Sequence, residues 1–151
     1  MQLIFLVHIL STFLSFTISL YLQLIHFPLL RYIGPYQYPV YFQKQKQRLT
    51  IVTFPVFTLE IFTSIFLMVA FFGGGKITEA KQNSFFIYLS SIILLLFIHL
   101  LTFYVIKPWL KKLLTAWDDK ILNQLKLGNL VRTLMWLVRI IILFSIVINP
   151  G

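Results

Sequence analysis

Cysteine is absent from this chain of 151 residues. Its absence excludes disulfide bonds and thiolate metal sites, and it leaves the redox compartment open. Acidic side chains are nearly as scarce, with 4 Asp and Glu against 13 Lys and Arg, for a net charge of +9. Charged residues make up only 11% of the chain, less than half of the roughly 25% that is usual in soluble domains. The composition therefore argues against a soluble protein.

Apolar residues fill most of the chain instead. They account for 59% of it, and the mean hydropathy is +0.89. A helix of about 20 apolar residues crosses a hydrocarbon core of about 30 Å. Four windows meet that requirement, at 3–25, 49–72, 84–106 and 130–148. The sequence predicts an all-α membrane protein, a four-helix transmembrane bundle that forms a single domain over residues 1–151.

The basic residues follow the membrane topology. Nine lie in the first and third connections and two in the second. This bias predicts that the first and third connections are cytoplasmic and that both termini lie outside, as in a multi-pass protein of a bacterial inner membrane. The bilayer is the expected partner, with anionic headgroups attracting the basic connections. Neither connection resembles a folded basic module, so no nucleic acid is expected. The nine residues are Arg31, Lys44, Lys46, Arg48, Lys107, Lys111, Lys112, Lys120 and Lys126.

The connections carry their own signals. The polar run 43–48 can extend the second helix into water, and the glycines at 73–75 predict a short turn. Pro108 predicts the end of the third helix. Ile121, Leu122 and Leu125 follow a polar run and can share one side, which predicts an amphipathic segment lying at the membrane interface.

Polar residues recur at helical spacing within each window. Lipid tails cannot satisfy polar groups, so the four stripes should face one another. Many of the serines and threonines could instead bond to their own backbone, as they often do in membrane helices. The stripes comprise His8, Thr12, Ser15, Ser19, Gln23 and His26; Thr50, Thr53, Glu60 and Ser64; Ser84, Tyr88, Ser91, His99 and Thr102; and Asn129, Arg132, Thr133, Trp136 and Arg139.

Three charged residues stand inside the apolar windows. A charge at the bilayer centre costs roughly 2.5 to 3.5 kcal/mol on insertion scales, so such residues are usually paired, inward-facing and functional. Glu60 and Arg139 fall at similar depth, which predicts an ion pair between them. Such a pair can fix packing alone, or it can belong to a ligand or proton site. Arg132 is near enough to the surface either to snorkel or to point inward.

The expected site combines these charges with neighbouring polar groups. His26, Glu60 and Arg132 are the candidate catalytic residues, and His26 and His99 could carry protons. No metal site or cofactor is predicted, because the histidines differ in depth; a quinone or haem remains an alternative. The residues expected to bind a ligand are Asn129, Arg132, Trp136, Arg139, Glu60, His26 and His99.

The order of motifs resembles a family of small four-helix membrane proteins related to anthrone oxygenases. The fourth window, with Asn129, Arg132-Thr133, Trp136 and Arg139, is similar to its N-x-x-R-T-x-x-W-x-x-R signature. The first half contributes His26-Phe27-Pro28-Leu29-Leu30, Tyr41, Arg48-Leu49-Thr50, Pro55 and Glu60. The resemblance implies the same fold with a polar site, and oxygenation of an aromatic polyketide. Phe42, Gln45 and Leu110 stand where the family pattern has histidines, which puts any chemistry of those histidines in doubt here.

Three classes of function stay open. The bundle could bind a small apolar or aromatic molecule, with oxygenase or redox chemistry if it is an enzyme. It could conduct protons or solutes, although four helices without an evident internal repeat favour a conductor only in a homo-oligomer. It could also be a structural or assembly subunit whose Glu60–Arg139 pair only fixes packing.

Overall fold

A computed structural model describes the backbone of residues 2–33, 36–73, 79–115 and 117–148, with side chains at 3–33, 36–70, 85–115 and 117–148. Its helices are α1 (Gln2–Tyr21), α2 (Phe27–Leu29), α3 (Tyr38–Gly73), α4 (Glu79–Leu101), α5 (Lys107–Thr115) and α6 (Asp119–Ile148). The π-helical segments Leu22–His26 and Thr102–Ile106 join α1 to α2 and α4 to α5, and a 3₁₀ turn, Leu30–Tyr32, follows α2. The described residues contain no strand.

These helices form four continuous stretches that are long and apolar enough to cross a membrane. We number them span 1 (Leu3–Tyr32), span 2 (Tyr38–Ala70), span 3 (Phe85–Thr115) and span 4 (Asp119–Ile148). The all-α four-helix architecture and the four predicted windows are confirmed. The glycine turn predicted at 73–75 lies largely outside the described residues.

All four helices are longer than their apolar windows. The run 43–48 does extend the second helix, which begins at Tyr38. One boundary prediction was wrong, because the third helix continues through Pro108 to Thr115. The segment expected at the interface is the first part of α6, where Leu122 and Leu125 are buried together; its place at the membrane interface stays a prediction. Hydropathy marks where lipid contact begins, whereas a helix continues until its backbone hydrogen bonding is interrupted.

The π segments explain how the helix passes each proline. Leu22–His26 and Thr102–Ile106 are each followed by one residue and then by Pro28 or Pro108. A proline ring collides with the carbonyl four residues earlier in a regular α-helix, and it has no N–H to donate. The wider π turn changes the backbone hydrogen-bonding pattern just before each of these two prolines. Spans 1 and 3 therefore continue past Pro28 and Pro108 without ending there.

The π segments and prolines of spans 1 and 3 come in the same order. His8 and Tyr88 stand equally far before their π segments, and their rings meet at a centroid distance of 6.0 Å. Glu60 and Arg139, which match to within one residue when counted from the two prolines, form an ion pair. Spans 1–2 and spans 3–4 therefore carry matching elements in the same chain order.

The spans form a closed bundle. Spans 1 and 2, spans 3 and 4, and spans 1 and 4 pack side by side. Spans 2 and 3 meet where the Tyr88 hydroxyl donates to the Ser64 carbonyl at 3.1 Å. They also meet where the edge of His99 lies against Phe57, with centroids 4.5 Å apart. Spans 2 and 4 are therefore diagonal, so side chains that connect them must cross the bundle interior.

The two ends of the bundle differ in chemistry. One end carries the connections between spans 1 and 2 and between spans 3 and 4; we call it the basic end. Its apolar cluster includes Leu30, Phe42, Leu113 and Leu122. A second cluster lies toward the chain termini, and a third around Trp136. Large apolar side chains point outward along all four spans, as lipid contact requires.

Candidate functional site

The ion pair predicted between Glu60 and Arg139 is confirmed. The Arg139 guanidinium contacts the Glu60 carboxylate, and the exposed fractions of the two side chains are 0% and 1%. Thr12 donates to Glu60 Oε1 at 3.0 Å, and Ser15 donates to Oε2 at 3.2 Å. Both carboxylate oxygens are therefore satisfied inside the bundle, so the charge of Glu60 is compensated without water or ligand.

Arg139 is equally well satisfied. Its Nε donates to Ser91 Oγ at 3.2 Å, its Nη1 to Thr12 Oγ1 at 3.3 Å, and its Nη2 to His8 Nε2 at 3.1 Å. The guanidinium carbon also lies 5.4 Å from the centroid of the Trp136 ring, within cation–π range. Side chains of all four spans thus hold this one cation at the centre of the bundle.

His8 belongs to this network although sequence reasoning did not select it. A guanidinium only donates hydrogen bonds, so His8 Nε2 must accept and Nδ1 must carry the proton. Nδ1 lies 2.9 Å from Thr63 Oγ1, which accepts that proton. His8 is therefore a neutral acceptor that positions Arg139. Its place in the polar stripe of span 1 was the sequence feature that could have identified it. The depth expected for His8, however, differed from that of Glu60 and Arg139.

A second polar group surrounds Arg132. Its Nε donates to Ser19 Oγ at 3.3 Å and its Nη2 to Asn129 Oδ1 at 2.6 Å. The Asn129 amide donates to the Ser19 carbonyl at 3.1 Å and to Gln23 Oε1 at 2.9 Å. Of the two orientations that the sequence left open, Arg132 takes the inward one. It is half-buried against spans 1 and 4.

The two arginines differ in charge compensation. Arg139 has Glu60, whereas Arg132 has no carboxylate within ion-pair distance among the side chains that the structure describes. Its Nη1 makes no hydrogen bond to that part of the chain and is not enclosed. An unneutralised cation with a free donor is costly in an apolar setting. Arg132 therefore keeps a positive charge that no described carboxylate neutralises.

The candidate histidines occupy separate places. His26 is buried near the basic end, where Gln45 Nε2 donates to its Nδ1 at 2.6 Å and the Phe42 ring stacks at 6.4 Å. His99 is half-buried against Phe57, and its Nε2 has no hydrogen-bond partner in the described part of the chain. No three His, Asp or Glu side chains come together as metal ligands among the described residues.

The inward orientation of the stripes is largely confirmed. Every polar member of the span 1 stripe contacts another helix, from His8 to His26. The alternative of bonding to the local backbone holds elsewhere, as at Thr17 and Thr58. Thr50 was wrongly placed in the inward stripe, since it is exposed and donates to its own helix. The side chain of Ser84 lies outside the described residues.

Fold and site define an all-α membrane protein with four apolar helices around a charged, hydrogen-bonded interior. No family model, curated protein or solved structure matches the chain.

Proposed function

We propose that the bundle binds a small lipid-soluble molecule through a carbonyl, enolate or carboxylate oxygen at Arg132. The observation that carries this proposal is the contrast between the two arginines. Arg139 is neutralised and each of its three guanidinium nitrogens has a hydrogen-bond partner, whereas Arg132 keeps its charge uncompensated and its Nη1 free among the described residues. A ligand oxygen accepting from Nη1 would stabilise that cation by a charge-assisted hydrogen bond.

The surroundings of Arg132 favour an amphiphilic ligand over a free ion. Asn129 holds Nη2 at 2.6 Å and so fixes the plane of the guanidinium. Trp136, one helical turn further along span 4, is 5% exposed and packed in the core, so the apolar part of the ligand would lie against the apolar outer faces of the spans near Arg132. An apolar body with one polar edge fits that combination.

The resemblance to anthrone oxygenases supports an aromatic ligand and extends the proposal to an enzyme. A guanidinium that stabilises an enolate is the electrostatic contribution such an oxidation requires. His26 is the base candidate at the basic end. Its neighbours Phe42 and Gln45 are two of the three positions where the family pattern has histidine. The enzymatic form of the proposal therefore rests on His26 and Arg132 without those histidines.

Co-purification tests the binding proposal. The protein is extracted in mild detergent, and small molecules in its organic extract are identified by absorption and mass spectrometry. We expect one species at near-stoichiometric amount in the parent, lost in Arg132→Gln and kept in Arg48→Gln, a matched change at an exposed arginine. A parent without a bound molecule, or an Arg132→Gln variant that keeps it, would contradict the proposal.

The Glu60–Arg139 pair fits a structural role better than the ligand role assigned to it from sequence. Both oxygens of Glu60 and every nitrogen of the Arg139 guanidinium already have partners. A ligand would have to displace one of them. We infer that the pair fixes the register of spans 2 and 4. This is the packing role that the sequence left open for Glu60 and Arg139.

Proton conduction is the second candidate function, and the hydrogen-bonded stripe of span 1 is the observation that favours it. The stripe runs from His8 to His26 and includes both contacts to Glu60. Proton flux into liposomes should then be lost in the variant Glu60→Gln/Arg139→Gln. Flux that persists in that variant would exclude Glu60 as a proton carrier.

A further inference from the structure

An open cleft lies at the basic end, where the start of span 2 faces the end of span 3. Its volume is about 710 Å³, and it is lined by Gln43, Lys46, Thr50 and Ile51 of span 2 and by Leu114 of span 3. Most of the lining surface is apolar, and Lys46 is the only charged side chain among the described residues that line the cleft. The volume falls within the range of small-molecule sites.

The matching order of spans 1–2 and spans 3–4 provides a comparison for this cleft. At the basic end, spans 4 and 1 are bridged by Arg31 Nη2, which donates to Asn123 Oδ1 at 2.8 Å. Lys111 follows Pro108 at the spacing at which Arg31 follows Pro28, and Gln43 follows Pro28 at the spacing at which Asn123 follows Pro108. No hydrogen bond joins Lys111 to Gln43 in the described part of the chain, and the cleft opens beside Gln43. At this end, therefore, a polar bridge joins spans 4 and 1, whereas the matching pair of side chains on spans 2 and 3 makes none.

The cleft extends from the polar run 43–48, which contains Lys46, to Ile51 near the start of the apolar window 49–72. By hydropathy, this is where we expect the change from headgroups to hydrocarbon. Lys111 is on the helix that carries Leu114, three residues earlier, and does not line the cleft. Among the described residues Lys46 has no acidic partner.

We propose that this cleft binds one anionic phospholipid, with the phosphate at Lys46 and an acyl chain along Ile51 and Leu114. An ammonium group at headgroup depth recognises a phosphate by charge, and the apolar lining covers the adjoining chain. The site is separate from Arg132 and independent of the function proposed above. The bound lipid takes the place, between spans 2 and 3, of the bridge that Arg31 and Asn123 make between spans 4 and 1.

Native mass spectrometry of the full chain in detergent, titrated with phosphatidylglycerol or phosphatidylcholine, tests the proposal. We expect one phosphatidylglycerol to be retained in preference to phosphatidylcholine, and its affinity to fall about fivefold in Lys46→Gln, the effect of roughly 1 kcal/mol per basic residue near the surface. Lys44→Gln removes the same charge from the same helix at an exposed position that does not line the cleft. It should leave the affinity within twofold.

A second variant tests the shape of the cleft without a change of charge. Leu114→Trp fills the groove and should weaken phosphatidylglycerol binding while the helical circular-dichroism signal stays at the parent value. Equal losses in Lys46→Gln and Lys44→Gln would show diffuse attraction to a basic surface and overturn the proposal. It would also be overturned if inorganic phosphate displaced the lipid at similar concentration, because the ligand would then be a soluble anion.

Discussion

Arg139 Nη2 donates to His8 Nε2 at 3.1 Å, from span 4 to span 1, while Nη1 of the same guanidinium contacts Glu60. With this contact, side chains from every span surround a fully buried cation. Each partner that is lost leaves a charged N–H in apolar surroundings, which makes the network specific. The first two predictions concern the energy of that network.

Removing one charge of the central pair should be worse than removing both. Glu60→Gln or Arg139→Gln alone leaves a buried unpaired charge, and we expect each to lower the free energy of unfolding by about 3 to 5 kcal/mol. The double variant should recover at least half of that loss. Unfolding by sodium dodecyl sulfate in mixed micelles measures all four members of the cycle. Additive losses would show that the two side chains do not act as a pair.

His8 should contribute as an acceptor and not as a base. His8→Phe keeps a ring but removes the acceptor for Arg139, and we expect a loss of about 1 to 3 kcal/mol in the same unfolding assay. His8→Gln retains an acceptor and should lose less. Ser11→Ala is the control, because the Ser11 hydroxyl donates only to its own helix, at 2.8 Å from the His8 carbonyl. If His8→Phe were as stable as the parent, the proposed positioning role would be wrong.

Gly128 lies in close contact with the Trp109 ring, and a larger side chain there should push the two apart. A Cβ at this position would lie 3.0 Å from Cζ3 of Trp109 and 3.6 Å from Cγ1 of Ile106. We expect Gly128→Ala to lower stability by about 1 to 3 kcal/mol, because it separates span 4 from the end of the π segment in span 3. Adding Trp109→Leu should restore part of the loss. Leu127→Ala, at a position 64% exposed, is the control and should change little.

The topology prediction can be tested directly because the parent has no cysteine. Gln124→Cys places a single thiol on an exposed position at the basic end, and Ile148→Cys places one near the terminal end of span 4. From the distribution of basic residues we expect a membrane-impermeant maleimide to label Ile148→Cys in intact cells and Gln124→Cys only after permeabilisation. The opposite pattern would mean that the termini are cytoplasmic.

Much of the site could be predicted because membrane insertion penalises each polar group separately. The inward stripe of span 4 and the Glu60–Arg139 pair follow from helical spacing and depth alone. The place of His8 did not, since the reach of Arg139 beyond Glu60 depends on side-chain conformation. The burial of Leu122 and Leu125 was also missed, because residues outside an apolar window can still pack against a neighbouring connection.

By itself the sequence determined the class of protein, the number of spans and the identity of the buried charges. Those properties depend on the free energy of transferring each segment into lipid, which is additive along the chain. Only the tertiary structure decided that His8 joins the Glu60–Arg139 pair, that Arg132 bonds to Ser19 inside the bundle, and that spans 2 and 3 leave a cleft at the basic end. Such outcomes depend on the geometry of side chains brought together from different helices.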